Sequence, residues 1–229
     1  MELEVQYKFR FADGREVSFP IRMDGDDLAP VNAEHGEPPA WTRLDFHRCS
    51  HCPLHSDRHP WCPLARSLVQ VISLLGDVFS YDEVETEVIT AERRILRSTS
   101  AQSAISAMMG LIIATSGCPH MAFFKPMARF HLPFATEKET LYRAAGMYLL
   151  GQYFRQQQGL PAEMGFSGLI RLYRNVEIVN RAMAERLRAA AREDGAVNAL
   201  VLLDMYAKTL PGLVEEALQE LRPLYTAYL

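Results

Sequence analysis

The sequence predicts an α+β protein, with an N-terminal antiparallel hairpin or three-stranded sheet packed on a mostly helical body. Three observations predict it. Apolar and polar residues alternate over the first two dozen positions, an Asp-Gly pair interrupts that alternation, and from residue 64 onward apolar residues recur mainly at helical spacing.

Leu3, Val5, Tyr7, Phe9 and Phe11 share one face of the first strand, with Glu4, Gln6, Lys8 and Arg10 on the other. Val17, Phe19 and Ile21 repeat the pattern after Ala12-Asp13-Gly14. A two-residue Asp-Gly turn sets the two apolar rows on opposite faces. A three-residue loop, with Gly14 left-handed in a bulge, sets Val17 opposite Phe9 and Phe19 opposite Tyr7, so the longer loop is expected. Residues 1–23 are thus a hairpin. Residues 24–46 form a linker loop, acidic and Pro/Gly-containing over 24–39. Residues 47–63 are a Cys/His segment, and 64–229 a mainly helical body with one strand near 81–90, all in a single domain.

Within that body Leu64, Leu68, Val71, Ile72, Leu75 and Phe79 follow Pro63, which suits a first helical position. Over 81–90, Val84, Thr86, Val88 and Thr90 alternate with Glu83, Glu85 and Glu87, a third strand that gives the hairpin the support it needs. Residues 102–115 read as a helix buried all round. Thr136 and Glu139 form a capping box that opens a helix with Leu141, Ala145, Tyr148, Leu149 and Tyr153 inward. Leu169, Leu172, Val176, Val179, Met183 and Leu187 mark the next helix, which carries a Glu177–Arg181 surface pair. Helices over 197–208 and 211–228 complete the set, with Pro223 kinking the last.

At 48% apolar and 23% charged, the 229 residues can bury a sizeable core. A net charge of −4 gives no general attraction to nucleic acid or anionic membrane, and the arginines of the helical half are interspersed with glutamates at pairing distance. The longest apolar run, 104–115, is too short to span a bilayer. No basic and then apolar leader opens the chain, so the expected compartment is a reducing cytoplasm, where stable disulfides are rare. Metal ligation, redox chemistry or plain burial are then the competing fates of Cys49, Cys52, Cys62 and Cys118.

Three of those cysteines and four histidines lie within 47–63. Cys49-x2-Cys52 lets two thiolates reach one ion from a tight turn, and tetrahedral zinc needs two more ligands. Cys62 supplies a third, at a helix start whose dipole favours thiolate. The fourth is Cys118 or one of His47, His51, His55, His59 and His120. Each of Cys52, Cys62 and Cys118 precedes a proline, which stiffens the chain beside the sulfur. The expected cofactor is a structural zinc ion; an iron–sulfur cluster or thiolate-ligated haem ranks behind it, and burial as small hydrophobes is the bland alternative.

The stretch 116–136 is irregular, aromatic and proline-punctuated between two helices, and such loops carry function. Lys125, Arg129 and His131 offer a pocket for an anion or substrate, the arginine bidentately. Glu139 has the chemistry to orient His131, but the capping box already accounts for it. Arg129 paired with a buried carboxylate and His131 as a satisfied core histidine are the plain alternatives.

Cys-x2-Cys-Pro, the later Cys-Pro leading a helix, Thr-Ser-Gly-Cys-Pro over 115–119 and Met-Ala-Arg-Phe-His-Leu-Pro-Phe over 127–134 together resemble a family of uncharacterised bacterial proteins known as a domain of unknown function. The resemblance runs from about Leu44 onward. It implies a bacterial cytoplasmic origin and brings no activity, substrate or partner.

Three function classes follow. A metal-stabilised scaffold or interaction protein, binding a protein partner not identified by the sequence, accounts for the cysteine spacing without a catalytic group. A metalloenzyme would use Cys118, His120, Arg129 and His131 around an open metal position. A thiol redox sensor would cycle Cys49 and Cys52 through a disulfide. The scaffold reading leads, and a homo-oligomer is compatible with it.

Overall fold

The computed structural model describes residues 1–31 and 37–229. Four strands, β1 (Glu2–Phe11), β2 (Glu16–Asp24), β3 (Glu83–Ile89) and β4 (Arg94–Ser100), form one antiparallel sheet in the order β2-β1-β3-β4. The register follows the apolar alternation, with Tyr7 opposite Phe19 and Phe9 opposite Val17. Gly14 takes φ 87° in the three-residue loop and donates to the Phe11 carbonyl, a backbone shape that glycine adopts without strain. Val5, Tyr7, Phe9, Phe19, Ile21, Val84 and Val88 turn to the core. The opposite face is laced by ion pairs, Lys8 with Glu87, Arg10 with Glu16 and Glu85, and Arg22 with Glu4.

β4 makes the sheet four-stranded where three strands were expected. Its sequence, Arg-Ile-Leu-Arg-Ser-Thr-Ser, buries none of its side chains, so it has no apolar alternation to read. It runs straight into α3 (Ala101–Thr115), which is buried along nearly its whole length and forms the centre of the molecule. Each fully buried Leu, Ile or Met there contributes about 1.5–3 kcal/mol of transfer free energy.

Before the third strand, two short helices, α1 (Pro63–Ser67) and α2 (Val69–Leu75), replace the single helix expected. Leu68 at the break donates to the Ala65 carbonyl in a tight turn, while Leu64, Leu68, Val71 and Leu75 all stay in the core. Phe79 falls beyond the helix and is exposed.

The helical body continues with α4 (Lys125–Arg129), α5 (Glu137–Gln157), α6 (Ser167–Ala190) and α7 (Gly195–Leu221). The Thr136–Glu139 capping box opens α5. Leu141, Ala145 and Tyr148 face the core, but Tyr153 is 49% exposed, because the inward stripe ends before the last turn and a half of the helix. Arg181 pairs with Glu177 on α6.

α7 is one helix where two were expected. It lies against α3, α5 and α6, and packing along that length outweighs the local breaker at residue 211. The chain then tightens into a 3-10 segment, Arg222–Tyr228, with Pro223 in its first turn, so this proline follows α7 and kinks no α-helix.

Part of the expected linker, 32–36, lies outside the described residues. Its described flanks are held in place, by a bridge between Met23 and Pro30 and by burial of Leu28, Thr42 and Leu44. Among the described residues no helix is long and apolar enough to cross a membrane.

Candidate metal centre at the cysteine cluster

Three chain segments deliver the four cysteines. The Cys52 N–H bonds the Cys49 carbonyl at 3.1 Å, closing the turn between them. Arg48 steadies that turn from outside by donating to the carbonyls of Cys52 and Leu54. The Cys62 N–H bonds the Thr42 carbonyl at 2.8 Å, and Cys62 caps α1 with Pro63 behind it. Gly117, at φ 82°, turns the chain after α3 so that a Cβ on it would lie 3.8 Å from Pro63 Cβ. That approach sets Cys118 beside the Cys62 loop.

The thiols influence one another. Burial pushes the Cys49 thiol up to about 12, and the neighbouring thiols of Cys62, Cys118 and Cys52 add to the rise, while Arg186 opposes it. Burial pushes Cys118 up to about 11, opposed by the backbone N–H groups of His120 and Met121 that point at its sulfur, and Cys62 and Cys52 raise it further. All four are free, half-buried thiols, and Cys49, Cys62 and Cys118 pack against the hydrophobic core. Among the described residues no group of three or more His, Cys, Asp or Glu is arranged to hold a metal ion as the side chains stand. As the side chains stand, Cys49, Cys62 and Cys118 pack as small apolar groups at the edge of the core.

Arg186 of α6 stands with this cluster. It is only 2% exposed, and its guanidinium donates to the carbonyls of Trp41 (2.8 Å), Arg43 (2.8 Å) and Leu44 (2.9 Å). Burial lowers its pKa, and the groups that raise it are the thiols of Cys62, Cys49 and Cys52. A buried cation is costly unless an anion accompanies it, and these thiols are the anions within its reach in their ionised form. The sequence held a signal for Arg186, which lies three residues after Met183 and seven after Val179 and so on the buried stripe of α6.

The histidines divide. His51 and His120 stack with ring centroids 3.8 Å apart and 7° between planes. His51 Nε2 bonds the Asn175 carbonyl at 3.1 Å and His120 Nε2 the His51 carbonyl at 3.0 Å. A carbonyl accepts only, so both rings carry their proton on Nε2. His51 Nδ1 is then a buried lone pair without a partner among the described residues. His47, His55 and His59 are exposed.

The predicted anion pocket is not brought together. Lys125 donates to the Asp27 carbonyl, Arg129 is exposed with its guanidinium 5.5 Å from the Phe130 ring centroid, and His131 turns inward to the hydroxyl of Tyr7 at 2.6 Å. Glu139 serves its capping box, accepting from the Thr136 N–H at 2.7 Å. The cation that acts on His131 is Arg143, a residue not singled out in the sequence.

A family profile described as Domain of unknown function (DUF6901) matches residues 5–226. No curated protein and no solved structure matches the chain.

Proposed function

The chain belongs to that family, and we propose that it binds a structural zinc ion through Cys49, Cys52, Cys62 and Cys118 and acts as a scaffold or interaction protein. The observation that carries this reading is the convergence of four thiols from three segments beside the buried guanidinium of Arg186. Zinc with four thiolates carries two net negative charges, which a buried arginine partly neutralises. Backbone N–H groups aimed at Cys118 favour its thiolate in the same way. Such an ion ties residues 49–62 to the turn that follows α3, which is a folding role.

His51 is the second candidate for the fourth position, favoured by its unpartnered Nδ1 and by the carbonyl that fixes its other nitrogen, as in histidines that ligate metals. For a protein partner the candidate surface is the outer face of α5, where Tyr142, Leu150, Tyr153 and Phe154 are exposed.

Elemental analysis of untagged protein purified without chelator, with a thiol count on the same sample, tests the metal reading. The expected result is about one zinc per chain with protected thiols. Iron would replace zinc with an electron-transfer centre, and four freely titrating thiols without metal would overturn the proposal. Cys118→Ser protein that keeps its full metal content would move the fourth position to His51.

A further inference from the structure

We infer that the cavity lined by α3, α4, α5, α6 and α7 binds an elongated apolar carboxylic acid that carries a second oxygen function at its far end. The cavity measures about 410 Å³, within the range of small-ligand sites. No cysteine lines it, so it stands apart from the metal reading. Leu111, Phe124, Met127 and Leu203 give it apolar walls, and exposed Arg97 and Thr136 mark where its lining reaches solvent.

Asn180 of α6 lines this cavity and is 3% exposed, yet its side-chain nitrogen has no acceptor among the described residues. Leaving a buried donor unmet costs about 1–3 kcal/mol, a cost that a ligand oxygen removes. Arg143 lines the cavity too. One terminal nitrogen of its guanidinium donates to the carbonyls of Met127 (2.7 Å) and Phe130 (3.0 Å), and among the described residues the other terminal nitrogen and Nε have no hydrogen-bond partner, which leaves them for a ligand. The carboxylate that influences it, Glu139, is engaged at the start of α5.

His131 completes the cationic end. The Tyr7 hydroxyl is fully buried, so its proton goes to His131 Nε2, and the imidazole proton sits on Nδ1. Burial, with Arg143 nearby, holds His131 neutral, with its pKa at about 3. A guanidinium beside a neutral N–H donor is a site for a carboxylate. Tyr173 shares this end with Arg143. Asn180 lies seven residues further along α6, about 10 Å along the helix axis, and that distance sets the spacing between carboxylate and second oxygen.

The test is calorimetric titration of the whole chain with 10-hydroxydecanoate, decanoate and decan-1-ol. The expected result is saturable one-to-one binding of both acids, the hydroxy acid tighter, with the alcohol weaker by about tenfold or more. Asn180→Leu should make the two acids equal. Ala107→Phe, which fills the cavity from α3, should abolish binding while circular dichroism shows an intact fold. Arg143→Gln should weaken both acids and leave the alcohol unchanged. Absence of saturable binding, an alcohol that binds as well as decanoate, or undiminished binding by Ala107→Phe would overturn the assignment. Equal binding of the two acids by the parent chain would remove the second oxygen from it.

Discussion

Arg186 donates a 2.9 Å hydrogen bond to the carbonyl of Leu44, 142 residues earlier in the chain. The same guanidinium takes the carbonyls of Trp41 and Arg43, so one side chain of α6 fixes the strip whose Thr42 carbonyl in turn holds Cys62. Position and charge therefore come from one residue. It orders the backbone under the cysteines and is the cation that responds to their ionisation.

Arg186→Met should leave three carbonyls without their donor and lower stability by about 3 kcal/mol or more. Arg186→Lys should restore less than half of that, because a single ammonium lacks the planar fork that reaches three acceptors. Urea midpoints of the three proteins measure both effects. A Met variant within about 1 kcal/mol of the parent would show that the network contributes little.

Two glycines should respond with opposite sign. The Gly195 N–H bonds the Val78 carbonyl at 3.0 Å, and a Cβ on Gly195 would sit 2.4 Å from that same oxygen. Backbone cannot retreat as a side chain does, so Gly195→Ala should destabilise by about 1–3 kcal/mol. Gly146, inside α5, has open space where its Cβ would lie, and Gly146→Ala should stabilise by about 0.5–1 kcal/mol. Thermal melts of the pair check the signs together.

The hairpin was legible because its two apolar rows rule out a two-residue Asp-Gly turn, and the three-residue loop gives the Tyr7–Phe19 register. β4 was not, since an edge strand with no buried side chain leaves no alternation. Hydropathy also misreads α7, where contact with three helices overrides the proline at 211. At the site, the cysteines announced themselves by spacing and Arg186 by its place on the buried stripe of α6, whereas Arg143 and Asn180 read as ordinary polar residues of helices. Their roles arise from burial by segments distant in sequence, as with the Leu44 carbonyl under Arg186. Lys125, Arg129 and His131 show the converse, as neighbours along the chain that face three different environments.

His131 gives the protein a stability that depends on pH. Its folded pKa is depressed by burial first and Arg143 second, to about 3, against a value near 6.5 when unfolded. Between these values the unfolded chain binds the proton that the folded chain refuses, so stability should fall as pH drops from about 6.5 toward 3, by at most about 1.4 kcal/mol per pH unit. Above about pH 6.5 neither state carries the proton and this contribution is flat. His131→Gln should make the slope in that window shallower, leaving the part due to His51 and to hydrogen-bonded carboxylates such as Glu139, measured by urea midpoints at several pH values. A parent protein whose acid slope matches that of the variant would assign the titration elsewhere.

Metal removal should act through folding, since an ion held by Cys49, Cys52, Cys62 and Cys118 binds the native chain and not the unfolded one. A strong chelator should therefore lower the urea midpoint of the purified protein, by an amount corresponding to about 4 kcal/mol where free zinc had exceeded its dissociation constant a thousandfold. Cys49→Ser should start near the chelated parent and show little further response, because its site is already broken. His51→Ala separates the two candidates for the fourth position. If Cys118 is the ligand, this variant loses the ring stack on His120 but still responds to chelator. If His51 Nδ1 is the ligand, the response disappears with the ring. A parent whose midpoint ignores both chelator and added zinc would exclude a structural metal, and would leave the thiols as core packing beside Arg186.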